Sequence, residues 1–292
     1  MTMAKRFRTL LKSGHMIVAP GAYDCVTARL VEQAGFPAVY MTGAGTAATL
    51  GYPDYGLVTM SEMADNAARL TSVLTVPLVS DIDTGYGNEL NVYRTIQAFE
   101  RAGVAAVHIE DQGFPKRCGH LDDKELIPRE AYYTKIRAAA AARKSADFTI
   151  IARTDARAVA GLDEAVARVN GALAAGADIA FVEAPQSMTE IETIPKLVKG
   201  PCLLNVVRKG KTPEIDLAEA ERMGYALAIV PGMLIAGVIG ICDELLGKLK
   251  AERRHPVPPG DPTVREVFAR FGAAEWDERR TAFSDPKSQA AE

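Results

Sequence analysis

Carboxylate side chains are concentrated at the ends of neighbouring apolar segments, and their chemistry points to a hard metal ion. Asp81 and Asp83 close one such segment, Glu110 closes the next, and Arg153 closes a third. Carboxylates at this density repel one another unless a cation lies among them. Oxygen ligands without a Cys/His cluster select Mg²⁺ or Mn²⁺ over zinc. The pattern therefore predicts a Mg²⁺ site. The alternative, that these acids are strand-end caps and salt bridges to Arg153 and Lys116, stays open at this point.

A polar segment beyond the Glu110 strand carries a thiol among cationic neighbours. Cys118 follows Lys116 and Arg117 and precedes Gly119 and His120. Nearby positive charge lowers the pKa of a thiol and makes it a stronger acid–base group or nucleophile. We therefore expect Cys118 to be acidified and catalytic, and His120 to orient a substrate carboxylate or to tune the thiol. The remaining cysteines and histidines lack such company and are predicted to be structural or surface residues: Cys25, Cys202, Cys242, His15, His108 and His255.

These side chains can act together only if strands bring them to one edge of a sheet. A repeated unit of one apolar strand and one amphipathic helix along the chain predicts such a sheet. Eight short apolar runs occur at residues 16–20, 38–42, 77–83, 105–111, 148–154, 178–183, 202–205 and 226–230. Amphipathic stretches such as 91–102 and 163–175 separate them. Continuous apolar strands that alternate with helices are typical of a parallel sheet. Eight units favour a closed (β/α)₈ TIM barrel, in which the active site lies at the carboxyl ends of the strands. An open doubly wound sheet is the alternative.

The C-terminal part of the chain departs from this repeat. A long predicted helix at 233–254 is followed by a stretch with four prolines and by one more predicted helix at 263–271. Prolines at this density break regular structure. We predict a barrel catalytic domain at 1–254 and, at 255–292, a proline-rich arm with a C-terminal helix that packs on a neighbouring subunit.

Composition excludes several other classes of protein. The net charge is −3 and the basic residues are scattered, which leaves no electrostatic footprint for nucleic acid. No apolar run approaches the roughly 18 residues that a membrane span needs, and no secretory signal is evident at the start. Four cysteines without a CxxC pair are typical of reduced thiols. We therefore expect a cytoplasmic enzyme that acts on a small molecule.

Together these segments resemble the isocitrate lyase/phosphoenolpyruvate mutase superfamily over about residues 7–247. The matching motifs lie at 40–43, 51–54, 81–87, 110–112, 116–120, 152–156 and 181–184. The segment KRCGH at 116–120 resembles the mobile catalytic loop of the superfamily's carbon–carbon lyases. The resemblance implies a Mg²⁺-dependent retro-aldol cleavage, or the reverse condensation, of a small 2-hydroxy di- or tricarboxylate such as 2,3-dimethylmalate or 2-methylisocitrate. Such a reaction releases pyruvate or glyoxylate. It also implies a homotetramer whose subunits exchange the last barrel helix.

The resemblance assigns roles to individual residues. The ligands of Mg²⁺, or of Mn²⁺ as the alternative, would be Asp54, Asp81, Asp83 and Glu110, with Asp81 bound directly. Cys118 would protonate the departing carbanion and Tyr40 would take the hydroxyl proton, with Arg153 and His120 completing the catalytic set. The substrate would be held by Thr42, Gly43, Ala44, Lys116, Arg117, Gly119, Arg153, Glu183, Asn205 and Arg208.

Two departures from the superfamily narrow the substrate. Members that cleave 2-methylisocitrate carry an arginine near Ala236 for the third carboxylate, and here Arg208 is the nearby candidate to replace it. An unpaired carboxylate in a closed pocket is costly, so a dicarboxylate fits better. Pro231 stands where the oxaloacetate hydrolases place a serine, which disfavours hydrolysis.

Two alternative functions are kept. One is an oxaloacetate hydrolase or decarboxylase, or a phosphonopyruvate-processing enzyme, of the same superfamily; the presence of Cys118 disfavours the mutase branch. The other is a catalytically silent barrel that binds a carboxylate. Asp81, Cys118 and Arg153 are all present. A complete set of acid, metal-binding and arginine residues usually belongs to an active enzyme, which disfavours the silent barrel.

Overall fold

Eight parallel strands close into a barrel in the computed structural model, which describes residues 1–121 and 123–284. The strands are β1 (Ile17–Ala22), β2 (Val39–Met41), β3 (Leu78–Asp81), β4 (Ala106–Glu110), β5 (Thr149–Thr154), β6 (Ile179–Val182), β7 (Cys202–Asn205) and β8 (Tyr225–Val230). Each strand pairs with the next along the chain, and β8 pairs with β1 to complete the ring. The predicted (β/α)₈ barrel is confirmed.

Helices alternate with these strands along the chain. They are α1 (Met3–Leu11), α2 (Cys25–Gln33), α3 (Gly43–Thr49), α4 (Met60–Val73), α5 (Glu89–Arg101), α6 (Arg129–Ala142), α7 (Ala156–Ala160), α8 (Leu162–Ala174), α9 (Met188–Leu197), α10 (Leu217–Arg222), α11 (Met233–Glu252), α12 (Val264–Ala269) and α13 (Ala273–Ala282). No helix in the described ranges is long and apolar enough to cross a membrane.

Several helices start at a polar residue that the sequence encodes locally. The side chains of Asp24 before α2 and Thr59 before α4 each accept a hydrogen bond from the backbone N–H of the third helical residue, whose side chain in turn accepts one from the backbone N–H of the capping residue. Asn88 does the same before α5. Such reciprocal caps satisfy backbone donors that the first helical turn leaves free. Each helix start is thereby fixed relative to the strand-end loop before it.

Buried side chains fill the barrel on both sides of its strands. Phe7 of α1 and Phe181 of β6 belong to one buried cluster with inward-facing strand residues. A second cluster joins strands to outer helices and includes Ile82. Because strand side chains alternate, Ile82 packs outward while Asp81 and Asp83 stay available at the strand end.

The chain divides into two compact units, Met1–Ala236 and Gly237–Glu292. The first contains the barrel. The second has two helices after the proline-rich stretch, α12 and α13, where the sequence analysis predicts one. Gly272 separates them because it takes the left-handed conformation, with φ 80°. Residues 285–292 of the predicted arm lie outside the described residues, and the predicted boundary at residue 254 stays a prediction.

Candidate active site

A cavity of about 170 Å³ lies at the carboxyl ends of the strands, where the sequence analysis places the chemistry. Most of the predicted site residues line it: Tyr40, Thr42, Ala44, Asp54, Asp81, Lys116, Cys118, Gly119, His120, Arg153, Glu183 and Asn205. Its remaining lining is apolar or small: Val207, Pro231, Gly232 and Ile235. This cavity thus joins Asp54 and Asp81 of the predicted metal ligands to the thiol and the arginine.

Lys116 lies among the predicted metal ligands. Its Nζ forms an ion pair with Asp54 and lies 2.8 Å from Asp83 Oδ1. Burial opposes its charge, yet the carboxylates of Asp83, Glu110, Asp54 and Asp81 raise the pKa of Lys116 well above its usual value. Burial also raises the pKa of Asp83 to about 6, with Asp81 and Asp54 adding to the rise and Lys116 opposing it. The four acids therefore all lie near enough to Lys116 to stabilise its positive charge.

The carboxylate oxygens of these acids are the kind of ligand that a hard divalent ion binds. Within residues 1–121 and 123–284, no three His, Cys, Asp or Glu side chains are grouped so that they could hold a metal ion without rearrangement. Glu110 is fully buried and its Oε1 accepts no hydrogen bond from the described residues. Burial raises the pKa of Glu110 well above its usual value. Buried oxygen donors without partners are suited to Mg²⁺, which binds through one or two carboxylates and keeps several waters.

Tyr40 belongs to a buried group that also contains a histidine. Its phenol oxygen lies 2.7 Å from His108 Nε2 and 3.5 Å from Asp81 Oδ2. Asp81 Oδ1 is 3.5 Å from the same imidazole nitrogen. Burial lowers the pKa of His108, so the ring is neutral. From the sequence, His108 is predicted to be a structural or surface residue without a functional role. Its position two residues before Glu110 was the available signal, because residues two apart in a strand share a face.

Arg153 is held by a carboxylate from its own strand end. Asp155 Oδ2 accepts a hydrogen bond from Nε at 3.0 Å and Oδ1 accepts one from Nη2 at 3.2 Å. Nη1 lies 3.2 Å from Glu110 Oε2, and the guanidinium carbon stands 5.4 Å from the centre of the Phe181 ring. These contacts fix the planar guanidinium within the site, in the state suited to carboxylate recognition.

The carboxylate of Glu183 is contacted by Asn205 and His120, which also line the cavity. Asn205 Nδ2 donates to both of its oxygens at 3.2 Å, and His120 Nε2 lies 3.1 Å from Oε1. Although burial alone would raise it, Arg153 and these neighbours lower the pKa of Glu183 to about 2. The backbone N–H of Lys211 donates to His120 Nδ1 at 3.0 Å. His120 is thereby set with its Nε2 hydrogen toward Glu183.

The predicted acidification of Cys118 is wrong. Burial raises the pKa of this thiol above its ordinary value. The flanking cations do not offset burial because Lys116 is engaged by carboxylates, while the side chain of Arg117 is 53% exposed and lies 3.6 Å from Asp123. Closeness in sequence therefore does not show which charged side chains lie near the sulfur. A thiol that stays protonated is suited to donating a proton.

The backbone at residues 42–44 lies beside the Asp81 carboxylate. Thr42 caps α3, and its Oγ1 accepts a hydrogen bond from Gly45 N at 3.3 Å. Gly43 N donates to Asp81 Oδ2 at 3.3 Å, and a β-carbon at Gly43 would stand 2.5 Å from that oxygen. Only glycine permits this approach. The predicted segment 42–44 is thus placed beside Asp81.

Three predicted substrate residues do not line the cavity: Gly43, Arg117 and Arg208. Arg208 has a side chain that is 82% exposed, and its Nε lies 3.6 Å from Glu214 Oε1. The backbone of Arg117 forms two hydrogen bonds with the side-chain amide of Gln112, at 2.8 and 3.0 Å. Among the strand-end acids, Asp111 has a structural role, because Thr154, Asp155 and Arg168 all donate to it.

Comparisons with known proteins agree on one family. A sequence model described as phosphoenolpyruvate phosphomutase matches residues 7–248. The chain is 45% identical to a 2,3-dimethylmalate lyase from Eubacterium barkeri over 79% of this chain and 80% of that protein. It is also 45% identical to a 2-methylisocitrate lyase from Aeropyrum pernix, over 77% and 72%.

Solved structures give the same result. A crystal structure of 2,3-dimethylmalate lyase, a member of the PEP mutase/isocitrate lyase superfamily, has a TM-score of 0.93 at 39% identity and covers 97% of this chain and 96% of that one. A structure of oxaloacetate acetylhydrolase with 3,3-difluorooxalacetate has a TM-score of 0.92 at 35% identity, with 98% of both chains covered.

Proposed function

The chain belongs to the phosphoenolpyruvate mutase/isocitrate lyase superfamily as one of its carbon–carbon lyases, and we propose that it cleaves a small, alkyl-substituted 2-hydroxy dicarboxylate. The products would be a 2-oxo acid such as pyruvate and a saturated carboxylate. The observation that carries this proposal is that one cavity joins Arg153, Tyr40 and Cys118. A charge clamp, a proton acceptor and a proton donor are the groups that a retro-aldol cleavage requires.

The substrate would be oriented by the two walls of the cavity. The carboxylate beside the hydroxyl carbon would lie against the backbone of Thr42, Gly43 and Ala44 and the guanidinium of Arg153. Since Arg153 is already fixed by Asp155 and Phe181, it would stabilise developing negative charge without rearrangement. The second half of the substrate would face Asn205 and the apolar lining.

The first proton step would involve Tyr40 and His108. Burial, reinforced by Asp81, raises the pKa of Tyr40 well above its ordinary value, so the phenol is neutral. A neutral phenol can accept the substrate's hydroxyl proton if its own proton passes on. His108 Nε2 at 2.7 Å would take that proton. The carbon–carbon bonding electrons would then move to the carbon next to the second carboxylate as the oxo group forms.

The second proton step would involve Cys118. The new carbanion carries its charge next to a carboxylate and needs a proton on carbon. Cys118 lines the same cavity and holds its proton because burial raises its pKa. It would donate that proton and give the saturated acid. Positioned acid–base groups of this kind contribute about 10²–10⁴-fold each.

A Mg²⁺ or Mn²⁺ ion, held by Asp54, Asp81, Asp83 and Glu110, would supply Lewis-acid stabilisation of the oxygens that become negative. The cation would also relieve the repulsion among these acids. Lys116 already places one positive charge against Asp54 and Asp83. The chain's own part is to hold this crowded group of carboxylates beside the substrate's oxygens.

The chemistry of the lining supports a dicarboxylate over a tricarboxylate. The lining also includes Val207, Pro231, Gly232 and Ile235, which offer no positive charge. Arg208, the candidate partner for a third carboxylate, is exposed. A carboxylate placed against apolar side chains without a partner costs several kcal/mol, whereas a methyl group gains about 0.8 kcal/mol on burial. Pro231 also offers no hydroxyl for hydrolysis.

The test is a coupled assay for 2-oxo-acid release with Mg²⁺. The panel contains 2,3-dimethylmalate, 2-methylisocitrate, isocitrate, oxaloacetate and phosphonopyruvate. We expect the highest kcat/KM with the alkylated malate, and loss of activity with EDTA. Turnover of oxaloacetate or phosphonopyruvate alone would overturn the lyase proposal. A preference for 2-methylisocitrate would overturn only the dicarboxylate assignment.

The assembly proposed for the chain is a homotetramer in the cytoplasm, in which residues 255–292 and the adjoining helix pack on a neighbouring subunit. Support comes from apolar side chains in α11 that are exposed, among them Val238, Ile239 and Leu246. Trp276 of α13 is also exposed. Light scattering of the whole chain and of a chain ending at residue 254 tests this: we expect a tetramer for the first and a smaller species for the second.

A further inference from the structure

A buried lysine that the mechanism does not use lies beneath the Cys118 loop. The side chain of Lys124 is 1% exposed, and its Nζ lies 3.0 Å from Asp155 Oδ1. The same ammonium donates a hydrogen bond to the carbonyl oxygen of Gly119. A buried ammonium is costly unless it is paired and hydrogen-bonded. These two partners therefore determine where the lysine can lie.

One of the two partners also holds the catalytic arginine. Asp155 binds Arg153 through both of its oxygens, at 3.0 and 3.2 Å. It is itself oriented by its backbone N–H, which donates to Asp111 Oδ1 at 2.9 Å. Through Asp155, the positions of Lys124 and Arg153 are set by the same carboxylate at the end of β5.

The other partner is the point where the loop comes closest to the site. A β-carbon at Gly119 would stand 2.5 Å from Arg153 Nη2 and 2.6 Å from Glu183 Cγ. Cys118 precedes this glycine, so fixing the Gly119 carbonyl also fixes the thiol. On the other side of Cys118, the amide of Gln112 pairs with the backbone of Arg117. The loop is thereby held on both sides of the thiol.

We propose that Lys124 is a positioning residue that holds the Cys118 loop closed by bridging the Gly119 carbonyl to Asp155. It touches no substrate and acts through the placement of the thiol. Because the thiol acts only in the chemical step, loss of the bridge lowers kcat and changes KM little. This kinetic consequence rests on the proposed function, whereas closure of the loop does not.

The experiment follows thiol reactivity and turnover in two variants. Lys124→Met keeps the length of the side chain and removes its charge. Arg143→Met is the matched control, because it removes a part-buried ion pair to Asp178 near the opposite ends of the strands. The rate of N-ethylmaleimide alkylation at Cys118 is read by peptide mass spectrometry. A free cysteine-containing peptide added to the same reaction serves as the reference for the reagent.

We expect Cys118 of Lys124→Met to react about tenfold faster than that of the wild type, as local opening exposes the thiol, with the rate of the free peptide unchanged. Arg143→Met should leave the Cys118 rate at the wild-type value even if it lowers the melting temperature. On the lyase substrate, kcat of Lys124→Met should fall about 10²-fold, the cost of a misplaced catalytic group. Equal Cys118 rates in wild type and Lys124→Met would overturn the proposal. So would a wild-type Cys118 that reacts as fast as the thiol of the free peptide. If the wild type cleaves no substrate of the panel, the proposed function fails, and the alkylation rates still decide the role of Lys124.

Discussion

Gly119 lies so close to Arg153 that a β-carbon at position 119 would stand 2.5 Å from Nη2. Gly119→Ala should therefore prevent the loop from seating, and we expect kcat to fall about 10²-fold because the thiol is displaced. The loop can move outward, so the free energy of unfolding should change little. Steady-state kinetics and urea unfolding measure the two quantities. Gly113→Ala is the matched control in the same loop, since its β-carbon would stand 3.7 Å from the nearest atom, Glu125 O. A fully active Gly119→Ala would show that closure is not needed.

The protonation state of Cys118 determines how kcat should depend on pH. A proton donor works below its pKa and fails above it, and burial raises the pKa of Cys118 above its ordinary value of 9.0. We therefore expect kcat to hold through neutral pH and to fall only at alkaline pH beyond that value. Cys118→Ser should lose about 10²–10⁴-fold, while Cys242→Ser keeps wild-type activity. A fall in kcat near neutral pH, absent in Cys118→Ser, would indicate a thiolate instead.

These two predictions show where sequence reasoning succeeded and where it failed. The barrel could be predicted because continuous apolar strands repeat eight times and several of them end in polar residues. The clustering of Asp81, Glu110 and Arg153 followed from that topology. The state of Cys118 could not be predicted, because a pKa depends on burial and on which charges face the sulfur. Arg208 was misplaced for a similar reason: closeness in sequence to β7 does not fix the direction of a loop side chain.

Tyr40 and His108 should behave as one unit in catalysis. Their side chains lie 2.7 Å apart, and His108 would receive the proton that Tyr40 releases. We expect Tyr40→Phe and His108→Phe each to lower kcat by about 10²-fold or more, and the double variant to be little worse than either. A double-mutant cycle on kcat measures the coupling. Strictly additive losses would show that the two residues act separately.

Arg153 and Arg208 should differ sharply in their response to substitution. Arg153 binds Asp155 with two hydrogen bonds and contacts the Phe181 ring, and lysine cannot reproduce either contact. We expect Arg153→Lys to lower kcat/KM by about 10²-fold or more. Arg208→Lys and Arg208→Gln should stay within about twofold of the wild type, since surface changes of this kind are usually neutral. A large loss in Arg208→Gln with 2-methylisocitrate alone would bring Arg208 back as the partner of a third carboxylate.

Stabilisation by Mg²⁺ should depend on pH in a direction that the carboxylates determine. The folded-state pKa of Asp83 is raised from 3.8 to about 6, and that of Glu110 is raised well above its usual value. Without the metal, the stability contributed by Asp83 is present below pH 3.8 and is lost as pH rises through about 6. Protons and Mg²⁺ compete for these oxygens, so the cation should stabilise the protein more at higher pH.

The measurement is the melting temperature with and without Mg²⁺ at about pH 5 and about pH 8, on either side of the raised pKa. At a Mg²⁺ concentration about 100 times its Kd, binding contributes about 2.7 kcal/mol, which corresponds to a rise of about 5 °C at the higher pH. The rise should be small at the lower pH. Glu110→Gln should reduce it at the higher pH, because an amide is a weaker ligand than a carboxylate. K⁺ at matched ionic strength controls for screening. A shift that is equal at both pH values, or unchanged in Glu110→Gln, would mean that the cation binds elsewhere.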